Sequence, residues 1–154
     1  MPVEVPVKHI LVPIDGSSSA RKAVLYAGQL SRLCGAAVTL LRVHRPDLYQ
    51  VNSLAEVPPL GGFQDLSALE KQLNDPALDP VFKEAREALG QVRQVEDKIL
   101  WGQPAAVICE FARDHHVDQI VMGARGRSNF AALLLGSVSS QVLQYAPCPV
   151  TVVR

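Results

Sequence analysis

Gly123, Gly126 and Gly136 stand in the pattern Gly-x-x-Gly, nine intervening residues, Gly-Ser, with Ser137 following the third glycine. A short apolar run, Ile120-Val121-Met122, leads into the first glycine, and a second apolar-periodic segment opens at Gly136-Ser137. Glycine lets backbone N–H groups approach an anion with no Cβ in the way. The first turn of a helix adds unpaired N–H donors and the positive end of the helix dipole. Strand, glycine loop and helix N-terminus, in that order, describe a cradle for the phosphates of a nucleotide. Arg125 and Arg127 lie inside the loop, where a guanidinium could screen phosphate charge. A second turn cluster, Asp15-Gly16-Ser17-Ser18-Ser19, supplies a carboxylate at the end of an earlier apolar run.

These residues need elements to hold them. Val7–Ile14 is a compact β-branched run that reads as a central strand buried on both faces. Apolar residues at Ala23, Val24, Ala27, Leu30 and Leu33 mark a helical stripe after it, with Gly35 as the stop. Ala37–Val43 reads as the second strand. The pattern then dissolves into a loop broken by Pro46, Pro58, Pro59, Gly61 and Gly62. Helical periodicity returns over Leu66–Leu73, breaks at Asp75-Pro76 and Asp79-Pro80, and resumes over Val81–Leu89. Val92–Leu100 is a third strand, polar enough for a sheet edge. A helix follows Pro104 and runs out near His115-His116. Val117–Met122 is the fourth strand, Ser137–Tyr145 the last helix, and Pro149–Val153 the fifth strand.

Strands alternating with helices at this spacing specify one α/β domain over residues 1–154, an open parallel five-stranded sheet with helices on both faces. A loop and broken-helix insertion occupies about residues 46–89. Ligands of such sheets sit outside the carboxyl ends of the strands, where strand order reverses. Asp15 and Gly123 would share that crevice only if the first and fourth strands are neighbours, which periodicity alone does not establish.

Composition narrows the options. The chain has 154 residues, 48% hydrophobic and 19% charged, with 15 basic against 15 acidic side chains. That balance argues against nucleic acid as the main partner. No apolar run approaches the roughly 20 residues of a membrane span, and no secretory leader is evident. A cytoplasmic location is the expectation. Cys34, Cys109 and Cys148 fit neither a metal pair nor a disulfide framework and are expected as buried free thiols. His9 reads as a satisfied strand histidine, His44 as a residue beyond the second strand within reach of a ligand, and Trp101 as packing.

Gly123-x-x-Gly126, the nine-residue gap and Gly136-Ser137 together resemble the nucleotide signature of the universal stress protein family, in its ATP-binding branch. ILVPIDGS, VMGARGRS, LLLGSVSSQVL and APCPVTVV extend the likeness over nearly the whole chain, most weakly from Leu48 to Leu89. The resemblance implies a Rossmann-like sheet of strand order 3-2-1-4-5, which would make the first and fourth strands adjacent. It implies ATP, with or without magnesium, as ligand. Pro13, Asp15 and Val43 would line the adenosine end, with Asp15 near the ribose hydroxyls and Val43 addressing adenine through its backbone. Met122 and Gly123 would flank the nucleoside. Gly126, Arg127, Gly136, Ser137, Val138 and Ser139 would hold the phosphates. It also implies a homodimer along residues 149–153, where an edge strand leaves backbone groups unpaired. Ser140 departs from the acidic residue that relatives often carry there, a matter of helix capping.

The preferred function is an ATP-binding stress-response module whose output is a conformational or dimerisation state read by other proteins rather than a product, with nucleotide ordering the Gly123–Ser137 loop. An ATPase or autophosphorylating enzyme competes, with Ser128 or Ser137 as acceptor. It lacks the Gly-x-x-x-x-Gly-Lys-Ser/Thr loop and any lysine in the motif. A third reading is a nucleotide-free interaction module using Leu48–Phe63. Structural readings stand beside the functional ones: Ser137 as a helix cap, Asp15 as a cap of the first helix, His115-His116 as a solvated helix end.

Overall fold

A computed structural model describes residues 6–46, 64–126 and 135–154 of the chain. Five strands form one sheet: β1 (His9–Pro13), β2 (Ala37–His44), β3 (Val95–Trp101), β4 (Gln119–Gly123) and β5 (Val150–Val153). Their order is β3-β2-β1-β4-β5, and every pairing is parallel. The adjacency that the sequence left open is therefore settled, because β1 pairs with β4 through Ile10↔Gln119 and Leu11↔Ile120.

Alternation along β1 builds two cores. Ile10 and Val12 face a layer made by helices α1 (Ser18–Cys34) and α3 (Pro80–Leu89). Leu11 faces the opposite layer, made by α4 (Pro104–Asp114) and α5 (Ser137–Tyr145). Helix α2 (Gln64–Asn74) and a short 3₁₀ turn (Pro76–Leu78) precede α3. Val81, Phe82, Ala85 and Leu89 of α3 are buried in the first core, so α3 covers the sheet. The Leu48–Phe63 loop lies outside the described residues.

The two Asp-Pro steps are starts as well as breaks. Asp75 and Asp79 each accept from the N–H two residues on, Ala77 at 2.9 Å and Val81 at 3.0 Å, with proline in the first turn. A side-chain oxygen satisfies an orphan donor there, and proline has none to lose. Helix α1 is capped by Ser17, whose Oγ accepts from Ala20 N–H at 3.1 Å, and closes at Gly35 in the left-handed region.

Two expectations need correction. Leu33 is 86% exposed, and Ser31 is buried in its stead. At 3.6 residues per turn Leu33 falls on the far side of the helix from Ala27, whereas Ser31 tucks its hydroxyl onto the Ala36 carbonyl at 2.6 Å. The thiols are also not buried: Cys34 is exposed, and Cys109 and Cys148 are half-buried at the fringe of the second core. Cys34 ends α1, Cys148 precedes β5, and Cys109 lies midway along the helix Pro104–Asp114.

Helices α1 and α3 touch through Gly28. A methyl group there would press into the Leu89 carbonyl oxygen, which also accepts from Arg32 Nη1 at 2.9 Å. In an open helix Gly→Ala stabilises by about 0.5–1 kcal/mol. Gly28→Ala is expected to reverse that sign and cost about 1–3 kcal/mol through overpacking, read as a lower denaturant midpoint.

Candidate functional site

At the carboxyl ends of β1, β2 and β4 the sheet opens into a cavity of about 460 Å³, within the range of roughly 300–1,000 Å³ typical of small-molecule sites. It lies where the strand order reverses. Pro13, Asp15, Val43, Met122, Gly123, Gly126, Gly136, Ser137, Val138 and Ser139 all line it. Arg127 lies outside the described residues, as does Ser128.

Each of these residues arrives by a definite route. Ile14 extends β1 by one bond, its N–H donating to Leu41 O at 2.9 Å, and Asp15 follows at the rim. Asp15 does not cap α1, since Ser17 does. Its Oδ1 accepts from Ser17 N–H at 2.9 Å and fixes the turn. Its Oδ2 reaches across to the glycine loop: a Cβ on Gly126 would stand 3.0 Å from it. The two motifs therefore face each other in one crevice.

The glycines divide their labour in a way the spacing did not disclose. Gly123 is required by packing, because a Cβ would fall 2.6 Å from the Ser19 carbonyl carbon and 2.7 Å from Ala20 N. Gly136 is the N-cap of α5, and its N–H is committed to Ala124 O at 2.6 Å. Ser137 is thus the first helical residue and not the cap. The hydroxyls of Ser139 and Ser140 bond back to the Gly136 carbonyl at 3.1 and 2.9 Å, and Ser139 Oγ also donates to Ala124 O at 2.8 Å. No carbonyl within the helix can accept from the N–H groups of Ser137, Val138 and Ser139. They point the positive end of the α5 dipole toward the cavity mouth. Arg125 beside them is exposed.

The opposite end is built from side chains that motif reading left unassigned, apart from His44. Arg42, His44 and Arg45 line it together with Pro104 and Ile108 of α4. Arg42 Nε pairs with Asp79 Oδ2 at 3.1 Å, both side chains largely buried, while Arg42 Nη1 is buried with no hydrogen-bond partner among the described residues. His44 is 4% exposed and packs on the Trp101 ring at 4.9 Å, and Trp101 Nε1 donates to Asn74 Oδ1 at 2.8 Å. Burial pushes the His44 pKa below its ordinary value, and the Arg42 charge adds to that. Asp79 and a hydrogen bond with the Leu73 backbone act the other way. Position just past a strand's carboxyl end was the only sequence signal for this wall. Its remaining members come from α2, α4, the end of β3 and Asp79 before α3, whose Asp-Pro step was legible as punctuation but not as part of a site.

His9 behaves as expected, its Nε2 within 2.8 Å of Thr39 Oγ1. His115 stacks on Phe111 at 3.8 Å. Among the described residues no group of three or more His, Cys, Asp or Glu side chains is placed to hold a metal ion, and none of the described helices is long and apolar enough to cross a membrane.

A parallel 3-2-1-4-5 sheet covered by helices, with a cavity at its switch point, defines a Rossmann-like α/β domain. More narrowly, the chain belongs to the universal stress protein family, whose family model matches residues 6–154. Universal stress protein MJ0531 of Methanocaldococcus jannaschii is 33% identical over 147 residues, covering 96% of this chain and 82% of that protein. The solved structure of MJ0577 from the same organism is similar with a TM-score of 0.72 and 30% identity, covering 97% of this chain and 96% of that one. A universal stress protein solved in complex with cAMP shares the fold at a TM-score of 0.63 and 22% identity, covering 97% and 98% of the two chains.

The buried, depressed His44 makes stability pH-dependent. The unfolded chain takes up this proton at the ordinary value near 6.5, the folded protein only at lower pH. The contribution is therefore complete above about pH 6.5 and is lost as pH falls through the folded value. Urea midpoints measured between about pH 7.5 and 5.5 should fall on acidification, and His44→Gln should flatten that fall.

Proposed function

We propose that this protein binds an adenine nucleotide, ATP in the first instance, in the cavity at the carboxyl ends of β1, β2 and β4. Its output is then a binding state read by other proteins rather than a chemical product. One observation carries the reading: Asp15, Gly126 and the open first turn of α5 come from three separate segments and converge on one cavity. In this assignment Pro13, Val43 and Met122 hold the nucleoside, and Asp15 accepts from ribose hydroxyls with the oxygen not engaged by Ser17. The N–H groups of Ser137, Val138 and Ser139 meet the phosphates, with Arg125, and Arg127 beyond the described residues, supplying charge. Gly126 and Gly136 keep Cβ atoms out of the path, and Gly123 flanks the nucleoside while seating α1. Magnesium, where it accompanies ATP, would find Asp15 as the only carboxylate among the described lining residues. The cAMP complex of a family member supports a nucleotide of this kind. A cytoplasmic homodimer paired along residues 149–153 is part of the same proposal, supported by the position of β5 at the edge of the sheet.

The enzymatic alternative draws less from the geometry. No lysine lines the cavity among the described residues, and Asp15 is already fixed to a backbone N–H. Phosphoryl transfer needs in-line placement and charge neutralisation. A multiple-turnover hydrolysis rate abolished by Asp15→Ala would establish the enzyme instead.

The decisive experiment is to denature the purified protein, identify any released nucleotide by mass spectrometry, and melt the emptied protein with and without ATP. Ligand at one hundred times its dissociation constant should stabilise the fold by about 2.7 kcal/mol. Gly136→Val, which crowds the Ala124 carbonyl 3.4 Å from its Cβ position, should abolish that gain. A wild-type protein that carries no nucleotide and melts identically with ATP would sink the proposal.

A further inference from the structure

Ser19 lies where three segments remote in sequence come within hydrogen-bond distance. Its hydroxyl donates to the Val153 carbonyl at 3.2 Å and accepts from the Arg125 N–H at 3.4 Å. The Val153 carbonyl takes a second bond, from Ala124 N–H at 2.8 Å. Ala124 in turn offers its carbonyl to Gly136 N–H at 2.6 Å and to Ser139 Oγ at 2.8 Å. A continuous chain of bonds thus runs from the first turn of α1, through the last residue of β5, to the start of α5. Gly123 keeps it compact, because a Cβ there would lie 2.6 Å from Ser19 Oγ.

Both ends of this chain matter for binding. One end fixes Ala124, whose carbonyl orients the Gly136 cap and hence the N–H groups of the α5 first turn. The other end is β5, which among the described residues pairs only with β4, in a register that sets Val153 opposite Gly123. All four residues of β5 are half-buried. Its outer edge offers backbone groups open to pairing.

We propose that Ser19 is a positioning residue for the anion end of the cavity. Through Ser19 and the Val153 carbonyl, ligand occupancy is coupled to the order of the C-terminal edge strand. This inference rests on the reading of the cavity as a nucleotide site. Ser19 does not line the cavity; it acts through Arg125, Val153 and Ala124. A nucleotide that holds Gly126 and the α5 first turn favours the arrangement in which Ala124 is clamped. The same arrangement holds Val153. Linkage makes the coupling reciprocal, so loosening the end of β5 must weaken the ligand.

The test uses the full-length protein and its Ser19→Ala and Ser19→Thr variants. ATP affinity is measured by calorimetry, and amide exchange at residues 150–153 is followed with and without ATP. Ser19→Ala should weaken ATP about three- to tenfold, the value of one modest hydrogen bond, measured at a temperature where both the wild type and the variant are fully folded. ATP should slow exchange at 150–153 in the wild type and much less in Ser19→Ala, and Ser19→Thr should restore both effects. A wild type that binds ATP while Ser19→Ala binds it equally well, or while exchange at 150–153 ignores ATP, overturns the coupling alone. So does a Ser19→Thr variant as weak as Ser19→Ala, because the hydroxyl is then not the cause. A wild type that fails to bind ATP sinks the nucleotide reading, and the coupling with it.

Discussion

Strand β1 is closed to water on both faces, and that constraint sets where the cavity of this chain opens. Ile10, Leu11 and Val12 are fully buried, alternating between two helical layers. A strand so placed can satisfy its backbone N–H and C=O groups only through neighbouring strands. It is flanked by β2 and β4. The chain leaves β1 toward one layer through Asp15 and leaves β4 at Gly123, and these exits are side by side. The crevice between them is a consequence of the pairing, as the switch-point rule for open parallel sheets describes. Membership in the universal stress protein family follows the same architecture.

The two ends of the cavity rely on different chemistry. The α5 end is mostly backbone: a helix first turn, Gly126 and Gly136, and bonds that hold Ala124 and Gly136 together. Such a site presents dipoles already oriented, with no lysine among the described lining residues. The other end depends on side chains. Asp79 caps α3 with one oxygen and pairs with Arg42 through the other. The chain before α3 is thereby fastened to the end of β2. Largely buried pairs of this kind carry a desolvation cost close to their attraction. Their contribution is better understood as fixing position than as net stability. His44, beneath Trp101 and beside the same pair, completes a wall whose charge state follows pH.

Much of the architecture was legible in the chain. The run of strands and helices, the polar edge strand β3, the Asp-Pro punctuation and the bounds of α5 follow from local periodicity and capping chemistry. Gly123, Gly126, Gly136, Ser137 and Asp15 do line one cavity, whereas the rest of the Asp15 turn does not and Arg127 lies outside the described residues. Illegible were Leu33, which kept the apolar type but lost the helical phase, and the cysteines, whose type favours burial while their positions do not. Ser137 looked like a cap by residue type, but Gly136 holds that position.

Local order is written in the sequence because hydrophobic period and turn chemistry act over a few residues. Residue spacing therefore determined element type, element order and the candidate set around the glycines. Only the tertiary structure decided which of those groups are still available. Gly123 serves α1, the Gly136 N–H serves Ala124, and the Ser139 hydroxyl serves both Ala124 and Gly136, while three N–H groups of α5 have no acceptor within the helix. A backbone or hydroxyl donor looks the same in every sequence window. Its commitment is settled by a partner brought near only when the sheet assembles, in the case of Ser19 and Val153 from 134 residues away.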